Sequence, residues 1–323
     1  MKKRWRFIRR FIIVISIIFL IFPAWLLWFL IANDAPVIYG SVIWHEPYKE
    51  DFHTDIYLPT QIKFEKTPVV LYIHGGAWIG GNKATVNNNR FNGAFNSLRE
   101  NGYAIVSPEY TLAKLDKPPF PDCIKDVSTA LQWIKLNANE YNFDINNIGV
   151  FGESSGAQIA MMLAYPDDKV SFLTNNQPNI NYVINVYGPT DLEKLYQLPL
   201  LDSLKNMIDR LPERLEKRLD ITNYLFGFDP EKDTARRKEY MAFYSPVNYI
   251  SNTAPATLII HGEEDQLVPV EQSKTLKQKL DSVQVENKIH ILINTNHAFR
   301  GATEQQKDSV QRWIVDFIKQ KYR

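Results

Sequence analysis

The sequence predicts an α/β fold: a mostly parallel sheet of eight strands flanked by helices, antiparallel at its start and carrying one helical insertion. Three observations carry that expectation. Short β-branched runs alternate with amphipathic stretches from about residue 37 to the end. Two β-rich runs open the series, and repeated strand–helix units follow. One block, residues 192–249, breaks the rhythm with leucine-rich helical patterns and no strand-like run.

The first element lies ahead of the sheet. Lys2, Lys3, Arg4, Arg6, Arg9 and Arg10 stand in the first ten residues without an acid, and no charge follows until Asp34. Residues 11–31 are apolar except for Ser16 and Pro23. A helix of that length spans about 30 Å, the hydrocarbon thickness of a bilayer. Trp5, Trp25 and Trp28 suit the two interfaces. A cleaved signal peptide would have a shorter apolar core and a small-residue cleavage site, which Ala32-Asn33-Asp34-Ala35-Pro36 does not offer. Residues 1–33 therefore read as a cytoplasmic basic tip and a single-pass transmembrane anchor. Residues 34–323 read as the α/β domain, placed outside the cytoplasm by the positive-inside rule. The net charge of +1 is the sum of two unlike parts. Beyond the six leading cations, 31 Lys and Arg face 36 Asp and Glu, a mildly acidic domain unsuited to nucleic acid. One cysteine, Cys123, excludes an intramolecular disulfide framework and Cys-rich metal sites.

Strands are expected over 37–44, 54–58, 69–74, 103–108, 147–151, 182–187, 256–261 and 285–293. Residues 122–137 read as a helix with Ile124, Val127, Leu131 and Ile134 on one face and Asp122 as its cap. Helices are also expected over 157–163, 272–280 and 305–320, the last with Val310, Trp313, Ile314, Phe317 and Ile318 inward. An insertion at 192–249 would sit over the carboxyl edge of the sheet as a helical cap. Its aromatics (Tyr196, Tyr224, Phe226, Phe228, Tyr240, Phe243, Tyr244) would mostly pack the cap down, with some lining an apolar entrance.

The chemistry concentrates at strand ends. Gly152-Glu153-Ser154-Ser155-Gly156 matches G-x-S-x-G between a strand and a helix, the setting of a nucleophile elbow at Ser154. His74-Gly75-Gly76-Ala77-Trp78 follows another strand, and its backbone N–H groups suit a developing oxyanion. Gly76 and Ala77 are the expected loop donors, with Gly75 as alternative and Ser155 supplying the remaining N–H. His74 would organise that loop by hydrogen bonding. Asp265 follows a later strand, with Glu263 and Glu264 as solvated competitors. His297 occupies the loop after the last strand, free to serve as general base. His45, His53, His261 and His290 have no such placement, His261 reading as structural, and no H-x-x-x-H spacing suggests a metal. No phosphate loop or metal cluster is present, so no cofactor is expected.

On these motifs, with Tyr187-Gly188-Pro189-Thr190-Asp191 and Asn296-His297-Ala298-Phe299, residues 37–321 resemble the α/β-hydrolase esterases and lipases with an H-G-G motif. The likeness extends to hormone-sensitive-lipase-like, kynurenine-formamidase-like and feruloyl- or acetyl-xylan-esterase-like enzymes. The resemblance implies a triad of Ser154, Asp265 and His297. Two departures are an alanine, Ala77, where a third glycine is common, and G-E-S-S-G in place of G-D-S-A-G. The expected function is a membrane-anchored serine hydrolase cleaving small-molecule or glycan-borne carboxylic esters. An amidase, formamidase or peptidase would use the same residues, and a non-catalytic binding protein could share the fold.

Overall fold

The computed structural model describes residues 40–88, 90–115, 117–166, 173, 177–198, 220 and 222–322. The expected anchor at 1–33 lies outside the described residues. Among the described residues, no helix is long and apolar enough to cross a membrane.

Eight strands form one sheet: β1 (Val42–Lys49), β2 (Phe52–Tyr57), β3 (Thr67–Ile73), β4 (Ala104–Pro108), β5 (Phe143–Glu153), β6 (Ile180–Val186), β7 (Ala256–Gly262) and β8 (Asn287–Leu292). Their order is β1-β2-β4-β3-β5-β6-β7-β8. The β1–β2 and β2–β4 pairs are antiparallel and every other pair is parallel. β1 is displaced from its expected range of 37–44. It pairs with β2 through two register irregularities, one beside His45, whose φ is +59°, and it contains Pro47. An edge strand tolerates both, so its sequence lacks the apolar run that marks a central strand.

Period-two alternation divides the strands between two cores. Val69, Leu71 and Ile73 of β3 face one side, and Val70 and Tyr72 face the other. The first core is closed by α2 (Asp122–Leu136), α3 (Ser155–Ala164) and α7 (Glu271–Ser282), through residues such as Ile124, Val127, Ile159 and Leu276. The second is closed by α1 (Asn92–Glu100) and α8 (Glu304–Gln320), through Phe95, Leu98, Val310, Ile314 and Phe317. Thr303 and Gln306 form a capping box that starts α8. Asp122 does not cap α2. Pro121 occupies that position and Asp122 is the first helical residue, where its charge still complements the helix dipole. Helix α1 has no counterpart among the expected helices. Its Asn, Gly and Ser content is weakly helical, and contacts from α8 support it, Gln311 Oε1 accepting the Ala94 N–H at 2.7 Å.

Between β6 and β7 the described residues form α4 (Leu192–Tyr196), α5 (Thr222–Leu225), α6 (Thr234–Phe243) and a 3-10 turn over Pro246–Tyr249. Residues 199–219 and 221 of the expected cap lie outside the described residues. The Phe226 and Tyr240 rings meet at 5.5 Å, and Tyr244 stacks on Phe120 at 4.6 Å. Trp78 in turn meets Phe120 at 5.6 Å, which joins these helices to the loop after β3.

Candidate active site

Because β3, β5, β6, β7 and β8 run parallel, their carboxyl ends share one edge, and His74, Ser154, Tyr187, Asp265 and His297 all follow those ends. Backbone bonds lace the edge together: Ser154 N–H to Val186 O at 2.9 Å, Tyr187 N–H to Ile260 O at 2.8 Å, and Glu264 N–H to Thr295 O at 2.9 Å.

Ser154 has φ 51° and ψ −125°, a strained conformation for a residue with a Cβ. The turn that imposes it needs its glycines. A Cβ on Gly152 would stand 2.3 Å from Gly156 O, and one on Gly156 would stand 2.2 Å from Ile73 O. The hydroxyl is thereby presented at the amino terminus of α3, whose leading N–H groups, that of Ser155 first, have no partner within the helix.

Ser154 Oγ lies 3.2 Å from His297 Nε2, and His297 Nδ1 lies 2.6 Å from Asp265 Oδ2. A carboxylate only accepts, so Nδ1 carries the hydrogen and Nε2 is left to accept from the serine. The other Asp265 oxygen accepts the N–H groups of Leu267 and Val268, each at 2.9 Å. Burial alone would raise the Asp265 pKa. Hydrogen bonds from His261 and His297 outweigh it and hold the carboxyl down at about 2. Glu263 and Glu264 are exposed. Asn296 Oδ1 accepts from His297 N–H at 2.6 Å and from Gln266 N–H at 3.3 Å, tying the histidine loop to the aspartate loop.

The loop after β3 passes directly over Ser154: a Cβ on Gly75 would lie 3.2 Å from Ser154 Cβ. Gly76 and Ala77 are exposed, with φ of 129° and 53°. Ala77 thus adopts the left-handed conformation that a third glycine would take more readily. His74 is buried; its Nδ1 donates to Gly75 O at 2.8 Å, and Tyr110 Oη donates to His74 O at 2.7 Å. Burial depresses the His74 pKa and keeps the ring neutral, as suits a loop organiser.

Three neighbours carry no catalytic role in the sequence expectations. His261, read as structural, reaches the aspartate itself, its Nε2 lying 3.3 Å from Asp265 Oδ2. Tyr187 lays its ring 4.7 Å from that of His297. Arg90 reaches Glu153, beside the nucleophile, at 2.7 Å. The position of Tyr187 at a strand end was a usable signal, whereas nothing in the polar stretch around Arg90 marks it.

An apolar cavity of about 50 Å³ lies near the loop, lined by Trp78, Phe120, Leu192, Phe226, Tyr240 and Met241 among others. Trp78 Nε1 donates to Gln158 Oε1 at 3.1 Å, one helical turn past Ser154. Of the cap aromatics, Tyr196, Phe226 and Tyr240 line the cavity, Phe228 packs behind them and Phe243 is exposed. Among the described residues no group of three or more His, Cys, Asp or Glu could hold a metal ion.

A hydroxyl on a strained strand–helix turn, an imidazole behind it and a buried carboxylate behind that define the α/β-hydrolase class of site. The chain belongs to the BD-FAE family, which matches residues 54–280. It is 28% identical over 273 residues to "Probable carboxylic ester hydrolase LipM" of Mycobacterium tuberculosis, covering 83% of this chain and 56% of that one. It is 25% identical over 234 residues to "Esterase LipC" of the same organism, covering 71% and 52%. The chain thus spans about half the length of these curated relatives. Among solved structures, a truncated carbohydrate esterase from gut microbiota superposes with a TM-score of 0.66 at 20% identity, covering 89% of this chain and 99% of that one. At that identity the likeness concerns the fold. The motif-based resemblance to α/β-hydrolase esterases therefore holds.

Proposed function

We propose that this chain is a membrane-anchored serine hydrolase that cleaves carboxylic esters through an acyl-enzyme on Ser154. The observation that carries the reading is the continuous relay from Ser154 Oγ to His297 at 3.2 Å and from His297 to Asp265 at 2.6 Å, set on the strained turn. Ser154 Oγ attacks the ester carbonyl carbon while His297 Nε2 takes its proton. Asp265 holds the tautomer and stabilises the imidazolium. The tetrahedral oxyanion is received by the N–H groups of Gly76, Ala77 and Ser155, with Gly75 as the alternative loop donor. The imidazolium then protonates the departing alcohol, and water repeats the sequence to release the acid.

The relatives' esterase names support an ester as substrate. The carbohydrate-esterase neighbour supports a glycan-borne ester beside small-molecule ones. Labelling with a fluorophosphonate probe tests the reading: intact protein should label and Ser154→Ala should not. Failure of the intact protein to label overturns it. Rates on p-nitrophenyl esters of increasing chain length, an acetylated glycan and an N-formyl aromatic amide then assign the substrate class.

The anchor reading rests on the 21 uncharged residues 11–31 behind six cations. It places the amino terminus in the cytoplasm and the hydrolase domain outside. Protease treatment of intact cells should remove the domain, and full protection would contradict the orientation.

A further inference from the structure

The residue ahead of the nucleophile and the Y-G-P-T-D segment take no part in the steps above, yet the fold joins them. Glu153 is 5% exposed, and its carboxylate receives three donors. Tyr72 Oη donates to Oε1 at 2.7 Å; Arg90 Nη1 and Tyr187 Oη donate to Oε2 at 2.7 and 2.8 Å. Arg90 Nη1 also donates to Tyr187 Oη at 2.5 Å. The same Tyr187 lays its ring 4.7 Å from the ring of His297 and 5.0 Å from that of Phe299. One phenol therefore links the carboxylate next to Ser154 with the imidazole that serves it.

This places His297 near two buried carboxylates, Asp265 in direct contact and Glu153 across the width of Tyr187. An uncompensated second anion at that depth favours the imidazolium and leaves less free base. The guanidinium of Arg90 supplies the compensation, and its side chain is 36% exposed, so it can be changed without opening the core. Other titratable groups within electrostatic reach of Glu153 are Tyr72, His74, Tyr110 and Tyr187. Burial lowers the pKa of His74 and raises those of Tyr110 and Tyr187. His297 itself faces Ser154, Asp265 and Tyr187.

We propose that Arg90, Glu153 and Tyr187 form a positioning network for the Ser154–His297 pair, in which Arg90 neutralises the carboxylate beside the nucleophile so that His297 answers to Asp265 alone. G-E-S-S-G is then more than a minor departure, because the longer glutamate is the hub of this network. The inference rests on the serine-hydrolase reading.

The test is the pH dependence of fluorophosphonate labelling, which needs no knowledge of the physiological ester. Arg90→Met should move the acid limb of the labelling rate upward by about one pH unit, and Arg90→Lys should return most of it. Glu153→Gln should move the limb downward, because Arg90 is then uncompensated, and the double variant should lie near the parent. Tyr187→Phe keeps the ring against His297 and should slow labelling about three- to tenfold. A purely structural network would lower the amount of active protein and leave the limb in place. An unmoved limb in folded Arg90→Met overturns the proposal even where Glu153→Gln does not fold. Absence of labelling in the parent at every pH overturns the hydrolase reading instead.

Discussion

His261 Nε2 and His297 Nδ1 converge on one oxygen of Asp265, at 3.3 and 2.6 Å. His261 is wholly buried, with Nδ1 2.7 Å from Ser273 Oγ and Nε2 also 2.7 Å from Val268 O. Since a carbonyl and a carboxylate both accept, Nε2 carries the hydrogen and Ser273 donates to Nδ1. The aspartate that bonds His297 is thus itself held by a second imidazole from the preceding strand. Replacing His261 by Leu should leave both Ser273 and Asp265 short of a partner. The expected cost is about 1–3 kcal/mol of stability, with slower labelling of Ser154. Urea denaturation and labelling rate read the two effects separately, and a stable variant that labels at the parent rate would show that His261 does not support Asp265.

Asp265 should also leave a signature in stability against pH. Its folded pKa of about 2 lies below the ordinary carboxyl value of about 3.9. The group therefore contributes stability that is present above the unfolded value and is lost as the pH falls from about 4 towards 2. The size is on the order of 2 kcal/mol. Denaturation midpoints taken from pH 6 down to pH 2 should fall more steeply for the parent than for Asp265→Asn.

The sharp turn around Ser154 should tolerate no side chain at its glycines. A methyl at Gly156 meets the backbone carbonyls of Ile73 and His74 at 2.2 and 2.4 Å, atoms that cannot step aside as a flexible side chain would. Gly156→Ala should therefore cost about 1–3 kcal/mol or more and displace α3 from β3. The measurement is thermal unfolding alongside probe labelling. Parent-like behaviour in both would mean that the turn is looser than its contacts require.

Ser154, Asp265 and His297 were legible as candidates because each follows a β-branched run, and parallel strands bring such ends to one edge. The local chain alone carries that information. Arg90 and Tyr187 lie beside those residues, yet their partners come from the end of β5 and from the His297 loop, so only the assembled sheet makes the connection. The central strands β3 to β7 were visible as β-branched or apolar runs, whereas edge strand β1 sits several residues later than its expected range, where edge position relaxes the demand for such runs. Helix α1 escaped for the opposite reason, since its residues are poor helix formers held by Gln311 and the second core. Asp122 shows the limit of boundary reading: a residue type favoured at caps is equally at home one position later, in the first turn.

The apolar cavity beside the site gives the last expectation. Phe226 and Tyr240 line it, and Trp78, also in the lining, bonds Gln158, one turn beyond Ser154. A cavity of about 50 Å³ would suit a short acyl tail, and removing one of its aromatic rings would make room for a longer one. Phe226→Ala removes a ring that is 3% exposed and should cost about 3–5 kcal/mol if the space stays empty. The opened space should favour longer chains, because each buried methylene gains about 0.8 kcal/mol, close to a fourfold preference. The ratio of kcat/KM for p-nitrophenyl octanoate to that for the acetate should therefore rise in Phe226→Ala. In Phe243→Ala, whose ring is 42% exposed and absent from the lining, the ratio should stay at the parent value. Equal ratios in all three proteins would place the acyl chain elsewhere and leave this cavity a packing defect of the cap.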